Sequence, residues 1–357
     1  MKTFSRVILI VIVPVIIGCG IIHLVRNRES ITHNSATNTN TKLQKTLTKK
    51  PIAEPTHTTK TGIASSPTIA KGLDDYRYVH TTLPRKLNSL AAELGAGILV
   101  APQRKLIIWG KNDSKAVPIA SMTKMMTLLI AYDRIKNDPN LSLNTIITVT
   151  EAAIKAGGRR VRLVAGHRYT AEKLMSTAIM YSANDASEAI AVGLAPNHDV
   201  KKFLAMMNVR ARLLGMKRAQ YFNVHGMPGI RDNQASPRDM AILAIKLQNY
   251  PQILKWAQVC RGKFVHNDGK ITKLKSTNID LLTRCKGVTG LKTGYTNRAG
   301  SCVTATCIRN GELLIAVACG FHTKRGGVKG KNKRFTFVSG LFDLGFKLTR
   351  EMDAKGR

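Results

Sequence analysis

The sequence predicts an α+β fold, with one antiparallel β-sheet flanked by helices, a helical subdomain, and a cleft between the two. Three observations carry this expectation. Short β-like runs stand at both ends of the region beyond residue 75, and the stretch between them has helical periodicity and helix caps. Asn310-Gly311, a pair suited to a two-residue hairpin turn, joins two of the late runs. In chain order, Gly97 to Ala101 and Leu106 to Trp109 are apolar runs separated by Pro102-Gln103-Arg104, which reads as a hairpin. Pro118 leads into a helix over Ser121 to Arg134, rich in Met and Leu. Thr170 can cap a helix over Ala171 to Tyr181, a second follows from Asp185 to Gly193, and Asp199 caps a third that ends near Gly215. Ser236-Pro237 opens another, reaching Gln248. Strand patterns return from Phe264 to Leu274 around Asn267-Asp268-Gly269, then in Ser301 to Ile308 and Glu312 to Cys319. A final helix covers Arg334 to Leu348.

Composition narrows the function classes. The 357 residues hold 56 Lys+Arg against 21 Asp+Glu, a formal +35, yet 44% are hydrophobic, so a sizeable core can form despite the charge. The six cysteines include no CxxC pair and the nine histidines no HExxH, so neither a metal nor another cofactor is expected. Residues 1–73 carry ten basic and two acidic side chains, which leaves +27 on the remainder. That field favours polyanions. No helix-turn-helix, zinc-finger or RNP pattern accompanies it, so nucleic acid is not an expected partner.

The N-terminus points to export. Lys2 and Arg6 precede an apolar run from Val7 to Val25, long enough to span a bilayer. We expect residues 1–25 to act as an uncleaved signal-anchor, 26–75 as a disordered Thr/Asn/Lys-rich linker, and 76–357 as the catalytic domain. Ile16-Ile17-Gly18-Cys19 also has the look of a lipobox, with Cys19 lipidated, and simple cleavage is a further alternative. Both fit less well, because Ile21, Ile22, Leu24 and Val25 continue the apolar stretch past the cysteine.

Three short motifs carry chemistry: Ser121-Met122-Thr123-Lys124 (SxxK), Ser182-Ala183-Asn184 (SxN) and Lys292-Thr293-Gly294 (KTG). Each alone is weak, and Ser142-Leu143-Asn144, Ser276-Thr277-Asn278 and Lys60-Thr61-Gly62 repeat the last two patterns. SxxK occurs once. Its spacing sets Ser121 and Lys124 on one helical face among Met122, Met125, Met126, Leu128 and Leu129. Burial there would disfavour the ammonium and let Lys124 accept the Ser121 proton, whereas a surface lysine beside a capping serine would do neither. Ser182 and Asn184 fall between two expected helices, where ordinary capping is the competing reading. Lys292 enters a glycine-rich segment that suits a strand edge open to a peptide-like ligand.

Taken in order, these motifs resemble the penicillin-recognising serine D,D-peptidases, and within them the D-alanyl-D-alanine carboxypeptidases of the low-molecular-weight penicillin-binding proteins. The resemblance covers roughly residues 90 to 348 and extends to Ser182-Ala183-Asn184-Asp185-Ala186, Phe222-Asn223-Val224-His225-Gly226 and Gly290-Leu291-Lys292-Thr293-Gly294-Tyr295-Thr296. Two departures stand out: Val224 occupies a usual proline position, and Arg159-Arg160-Val161-Arg162 is unusually basic.

The resemblance implies a D,D-peptidase/β-lactamase-like fold and an envelope enzyme outside the cytoplasmic membrane. Its substrate would be peptidoglycan stem pentapeptides, losing their terminal D-alanine through an acyl-enzyme, and β-lactams would be inhibitors. Ser121 would be the nucleophile, Lys124 its base, and Ser182 a proton relay to the leaving amine. Asn184 would orient Lys124 and the substrate. Lys292 and Thr293 would bind the terminal carboxylate, on a strand that includes Gly294, and Tyr295 would join Ser121 in donating backbone N–H groups to the oxyanion. The alternatives are a D,D-endopeptidase, a transpeptidase, a β-lactamase, and an inactive wall-binding protein. No Glu-x-x-Leu-Asn segment follows Asn184, as a class A β-lactamase would normally have.

One further expectation concerns Cys302 and Cys319. A regular hairpin at Asn310-Gly311 sets them opposite each other within disulfide range. They are then either bridged, as export permits, or two buried reduced thiols packed as small hydrophobes.

Overall fold

The computed structural model describes residues 72–79, 81–322 and 328–356. The signal-anchor, Cys19, the linker before Gly72 and Lys60-Thr61-Gly62 lie outside the described residues, which all fall in a unit starting at Gly62. Within the stretch read as linker, Leu73 is buried. Among the described residues no helix is long and apolar enough to cross a membrane.

Backbone N–H and C=O groups of a buried strand need partners, and here they come from opposite ends of the chain. From the N-terminal side come β1 (Arg77–Tyr78), α1 (Arg85–Glu93), β2 (Ala96–Ala101) and β3 (Leu106–Lys111). The middle supplies β4 (Val117–Pro118), α2 (Lys124–Asn137), β5 (Ile146–Thr148), α3 (Glu151–Ile154), β6 (Arg168–Thr170), α4 (Ala171–Met180), α5 (Asn184–Leu194) and α6 (Val200–Leu213). It continues through β7 (Gln234–Ala235), α7 (Pro237–Leu247), α8 (Pro251–Ala257), and a separate ribbon of β8 (Arg261–Val265) and β9 (Ile271–Lys275). The C-terminal side adds α9 (Ile279–Arg284), β10 (Val288–Thr296), β11 (Gly300–Arg309), β12 (Glu312–Phe321) and α10 (Val328–Ala354).

The main sheet has the order β1-β3-β2-β12-β11-β10. It is antiparallel apart from one correction at its edge, where β1 pairs parallel to β3. The chain passes through α1 and reverses along β2 before it returns as β3, so the edge strand β1 and its neighbour β3 point the same way. The alternation of β12 explains its continuous apolar run: Ile315, Val317 and Cys319 join the core that includes α2, α5 and α7, while Leu314, Ala316 and Ala318 join the core under α1 and α10. Both faces are therefore covered, and β10 is left as the edge beside the helical subdomain.

The expected caps are present. Thr170 Oγ1 accepts from Lys173 N at 3.2 Å, and Asp199 Oδ1 from Lys201 N at 2.8 Å. Ser236 and Asp239 form a reciprocal capping box. Asn310 and Gly311 take positive φ of 51° and 80°, as the tight hairpin requires. Helix α10 runs further at both ends than the sequence suggested.

The β11–β12 register holds from Arg309 opposite Glu312 to Val303 opposite Ala318, then shifts so that Ser301 faces Phe321. Cys302 therefore faces a bulge of β12 at Cys319 and Gly320 and does not face Cys319 as a regular pair. Both thiols are free and buried, and Cys302 Sγ donates to Ala299 O at 3.3 Å, so they take the reduced, packed arrangement.

Candidate active site

The SxxK segment is built differently from a plain helix start. Ala120–Thr123 is a 3-10 turn, and α2 begins only at Lys124. A 3-10 turn eclipses residues i and i+3, so Ser121 and Lys124 still share a face. Lys124 Nζ lies 3.1 Å from Ser121 Oγ, 2.5 Å from Asn184 Oδ1 and 2.6 Å from the His225 carbonyl oxygen. Lys124 has no exposed surface, and that desolvation lowers its pKa to about 7, with Asp185 opposing the shift and Arg159 adding to it. A neutral amine keeps two N–H donors and one lone pair. Asn184 and His225 can take both hydrogens, which aims the lone pair at Ser121.

The turn needs help from its neighbours. Ala120 has φ of 47°, an uncommon left-handed value for alanine. A Cβ on Gly226 would sit 1.9 Å from Ala120 O, and one on Gly294 would sit 2.7 Å from Ile119 O. Glycine at both places lets the His225 loop and the edge strand β10 close on the backbone that carries Ser121. Asn233 ties that loop down by donating to Thr123 Oγ1 at 2.9 Å and to Asn223 O at 2.8 Å. Val224, in the usual proline position, is buried, and its carbonyl accepts from Thr127 Oγ1 at 2.6 Å.

Ser182 also has positive φ, 69°, and its hydroxyl has no hydrogen-bond partner among the described residues. Asn184 opens α5, donates to Gly157 O at 2.5 Å, and so links Lys124 to the basic loop. Asp185 holds the same loop by accepting from Val161 N at 3.2 Å and Leu163 N at 3.0 Å. Lys292, on β10, is buried, and its ammonium is disfavoured first by desolvation and then by Lys124, Arg159 and Arg334.

A cavity of about 450 Å³ brings these pieces together, lined by Ser121, Ser182, Asn184, Thr293, Gly294 and Tyr295 among others. Lys124 and Lys292 lie beneath this lining rather than in it. The geometry therefore offers a hydroxyl with an adjacent base, a second hydroxyl, and an edge strand in a cavity that Arg159 and Arg334 also line, an arrangement suited to acyl transfer to serine.

The sequence reading noted Arg159 only within a basic stretch at the cleft rim and His225 only within a motif, and it gave Arg334 no part in the site. Arg159 lines the cavity with its guanidinium over the Tyr181 ring, 5.0 Å from the centroid. Arg334, reaching in from α10, donates to Gly294 O at 3.2 Å and Cys302 O at 3.1 Å. His225 faces Glu188 at 3.8 Å, but burial and Lys124 lower its pKa to about 4 while burial raises that of Glu188, so the contact is not an ion pair near neutral pH. The remaining decoys take structural parts. Ser142 Oγ accepts from Asn144 N at 3.2 Å, and Ser276 Oγ from Asn278 N at 3.1 Å. Of these segments, Thr277 reaches the cavity lining.

Comparison with known proteins yields a consistent set. The Peptidase_S11 family model, described as D-alanyl-D-alanine carboxypeptidase, matches residues 85–323. The D-alanyl-D-alanine carboxypeptidase DacF of Bacillus subtilis is 29% identical over 241 residues, 68% of this chain and 61% of that protein. The chain thus spans less than two thirds of that relative. A D-alanyl-D-alanine endopeptidase of Pseudomonas aeruginosa is 28% identical over 241 residues, 65% of this chain and 74% of that protein. Among solved structures, Penicillin-Binding Protein D2 from Listeria monocytogenes in its ampicillin-bound form is similar with a TM-score of 0.57 and 26% identity, over 71% of this chain and 97% of that one.

Proposed function

The chain belongs to the D-alanyl-D-alanine carboxypeptidase family, and from that premise we propose that it is a serine D,D-carboxypeptidase acting on peptidoglycan stem pentapeptides. The observation that carries the reading is the buried Lys124 amine 3.1 Å from Ser121 Oγ, with acceptors for both its hydrogens at Asn184 and His225. In the proposed reaction Lys124 takes the Ser121 proton as Oγ attacks the carbonyl between the two D-alanines. The backbone N–H groups of Ser121 and Tyr295 hold the oxyanion. Ser182 passes a proton to the leaving D-alanine nitrogen, and water then hydrolyses the ester. Lys292 and Thr293 bind the terminal carboxylate, in a positive field to which Arg159 and Arg334 add.

Penicillin sensitivity follows from the same residues. A β-lactam acylates Ser121, and none of the described residues lining the cavity is a carboxylate that could activate water against the adduct. The test is to incubate the purified full-length chain with a stem pentapeptide and follow D-alanine and tetrapeptide by mass spectrometry. Stoichiometric D-alanine with a long-lived penicillin adduct is expected. Release only from cross-linked dimers would make it an endopeptidase, fast penicillin turnover a β-lactamase, and neither product nor adduct an inactive wall-binding protein.

We further propose that the apolar run of residues 7–25 anchors the domain outside the cytoplasmic membrane, with 26–75 as its tether. The full-length protein is expected to remain with membranes after carbonate and high-salt washes with its N-terminus intact. A mature N-terminus at lipidated Cys19, or at a cleavage site beyond it, would overturn the anchor alone.

A further inference from the structure

The β8–β9 ribbon has a face that the reaction does not use. Its register sets Arg261 opposite Lys275, Lys263 opposite Lys273, and Val265 opposite Ile271. These six side chains are exposed, while Phe264 and Leu274 on the other face are buried. Like charges directly opposite each other destabilise a ribbon, yet two such pairs stand in succession here. No ion pair joins any of the four cations to a carboxylate among the described residues. Asp268, in the connecting turn, is engaged by the backbone N–H of Lys270 at 3.1 Å. Beyond the cations, at the turn end of the same face, Val265 and Ile271 are 45% and 53% exposed.

We propose that this face docks on an anionic lipid surface. A dissolved polyanion would neutralise the four cations but leave the apolar pair in water. A bilayer interface accommodates both, with acidic headgroups against the Lys and Arg and the acyl boundary against Val265 and Ile271. The ribbon is braced for such a role: Lys173 of α4 donates to the Val265 carbonyl and lies 4.7 Å from the Phe264 ring centroid. Its root is next to the cleft, since Thr277, two residues beyond the end of β9, lines the cavity. Docking therefore brings the mouth of the cleft beside the lipid. The inference needs neither Ser121 nor Lys124 and stands apart from the proposed reaction.

The test uses full-length chain carrying Ile271→Trp, reconstituted into nanodiscs of phosphatidylglycerol or phosphatidylcholine, with the emission of the parent chain subtracted. Tryptophan at 271 would sit at headgroup depth, so brominated phosphatidylglycerol is expected to remove about half of the added emission and brominated phosphatidylcholine almost none. Arg261→Glu, Lys263→Glu, Lys273→Glu and Lys275→Glu together should abolish the quenching. The milder Lys263→Gln with Lys273→Gln should weaken it if the fourfold variant does not fold, as judged by circular dichroism. Unquenched emission in phosphatidylglycerol, or quenching that survives charge reversal, overturns the proposal. So does charge-dependent binding of soluble polyphosphate without lipid quenching, which would assign the face to a dissolved polyanion.

Discussion

Ser121→Ala is expected to abolish covalent labelling by a fluorescent penicillin and to lower D-alanine release by about four orders of magnitude or more, the scale on which a serine peptidase loses rate without its nucleophile. The fold should survive. Ser121 is half-buried, and among the described residues its hydroxyl makes two hydrogen-bond contacts, at 3.1 Å to Lys124 and 3.4 Å to His225 O. Losing a typical hydrogen bond costs about 1 kcal/mol. The backbone of the turn is fixed instead by Gly226, Gly294 and Asn233. Two measurements separate the effects: gel fluorescence after penicillin reads the chemistry, and thermal unfolding by circular dichroism reads the fold. Labelling of the variant at the wild-type rate would remove Ser121 from the reaction. Loss of both labelling and cooperative unfolding would mean that the substitution had reached the scaffold.

How much of this was legible in the sequence depends on the range of the interactions involved. Caps at Thr170, Asp199 and Ser236 are local, each decided within four residues, and they stand where the sequence sets them. The hairpin at Asn310-Gly311 is local too. Its far end is not, and the bulge opposite Cys302 could not be read from the turn because register is renegotiated against Phe321 and the sheet beyond. The parallel pairing of β1 with β3 depends on the path taken through α1, which a two-residue strand does not encode. In the site, the SxxK spacing brought Ser121 and Lys124 together even though the local helix type differed, because i and i+3 coincide in both geometries. Arg334 was not found, and Arg159 was noted only as part of a basic stretch at the cleft rim. Nothing in the order of the motifs brings a loop near residue 159 and the C-terminal helix to the same cavity; only the unusual basicity of 159–162 hinted at the first. Arg334 is a long-range contact, 40 residues from Gly294 in sequence, and no short pattern announces it.

The position of Lys124 makes a second large effect testable through its sign with pH. Burial lowers the Lys124 pKa from 10.5 to about 7, so below that value the ammonium dominates and the lone pair facing Ser121 is occupied. Acylation by a β-lactam should therefore be slow at low pH, rise about tenfold per unit as pH approaches 7, and level off above it, following the neutral fraction. His225, with a pKa lowered to about 4, is already neutral over that range and cannot supply the same midpoint. Lys124→Ala removes the base and should slow acylation by about 10²- to 10⁴-fold, the usual contribution of a positioned general base, with the rise near neutrality gone. Lys124→Arg is the sharper control. It keeps a charged donor near Asn184 and the His225 carbonyl but cannot deprotonate, so it should be as slow as the alanine variant across the whole profile. Stopped-flow acylation rates between pH 5 and 9 for the three proteins decide the matter. A wild-type rate that falls as pH rises through 7, or a Lys124→Ala rate within about tenfold of wild type, would mean that the Ser121 proton goes to another group.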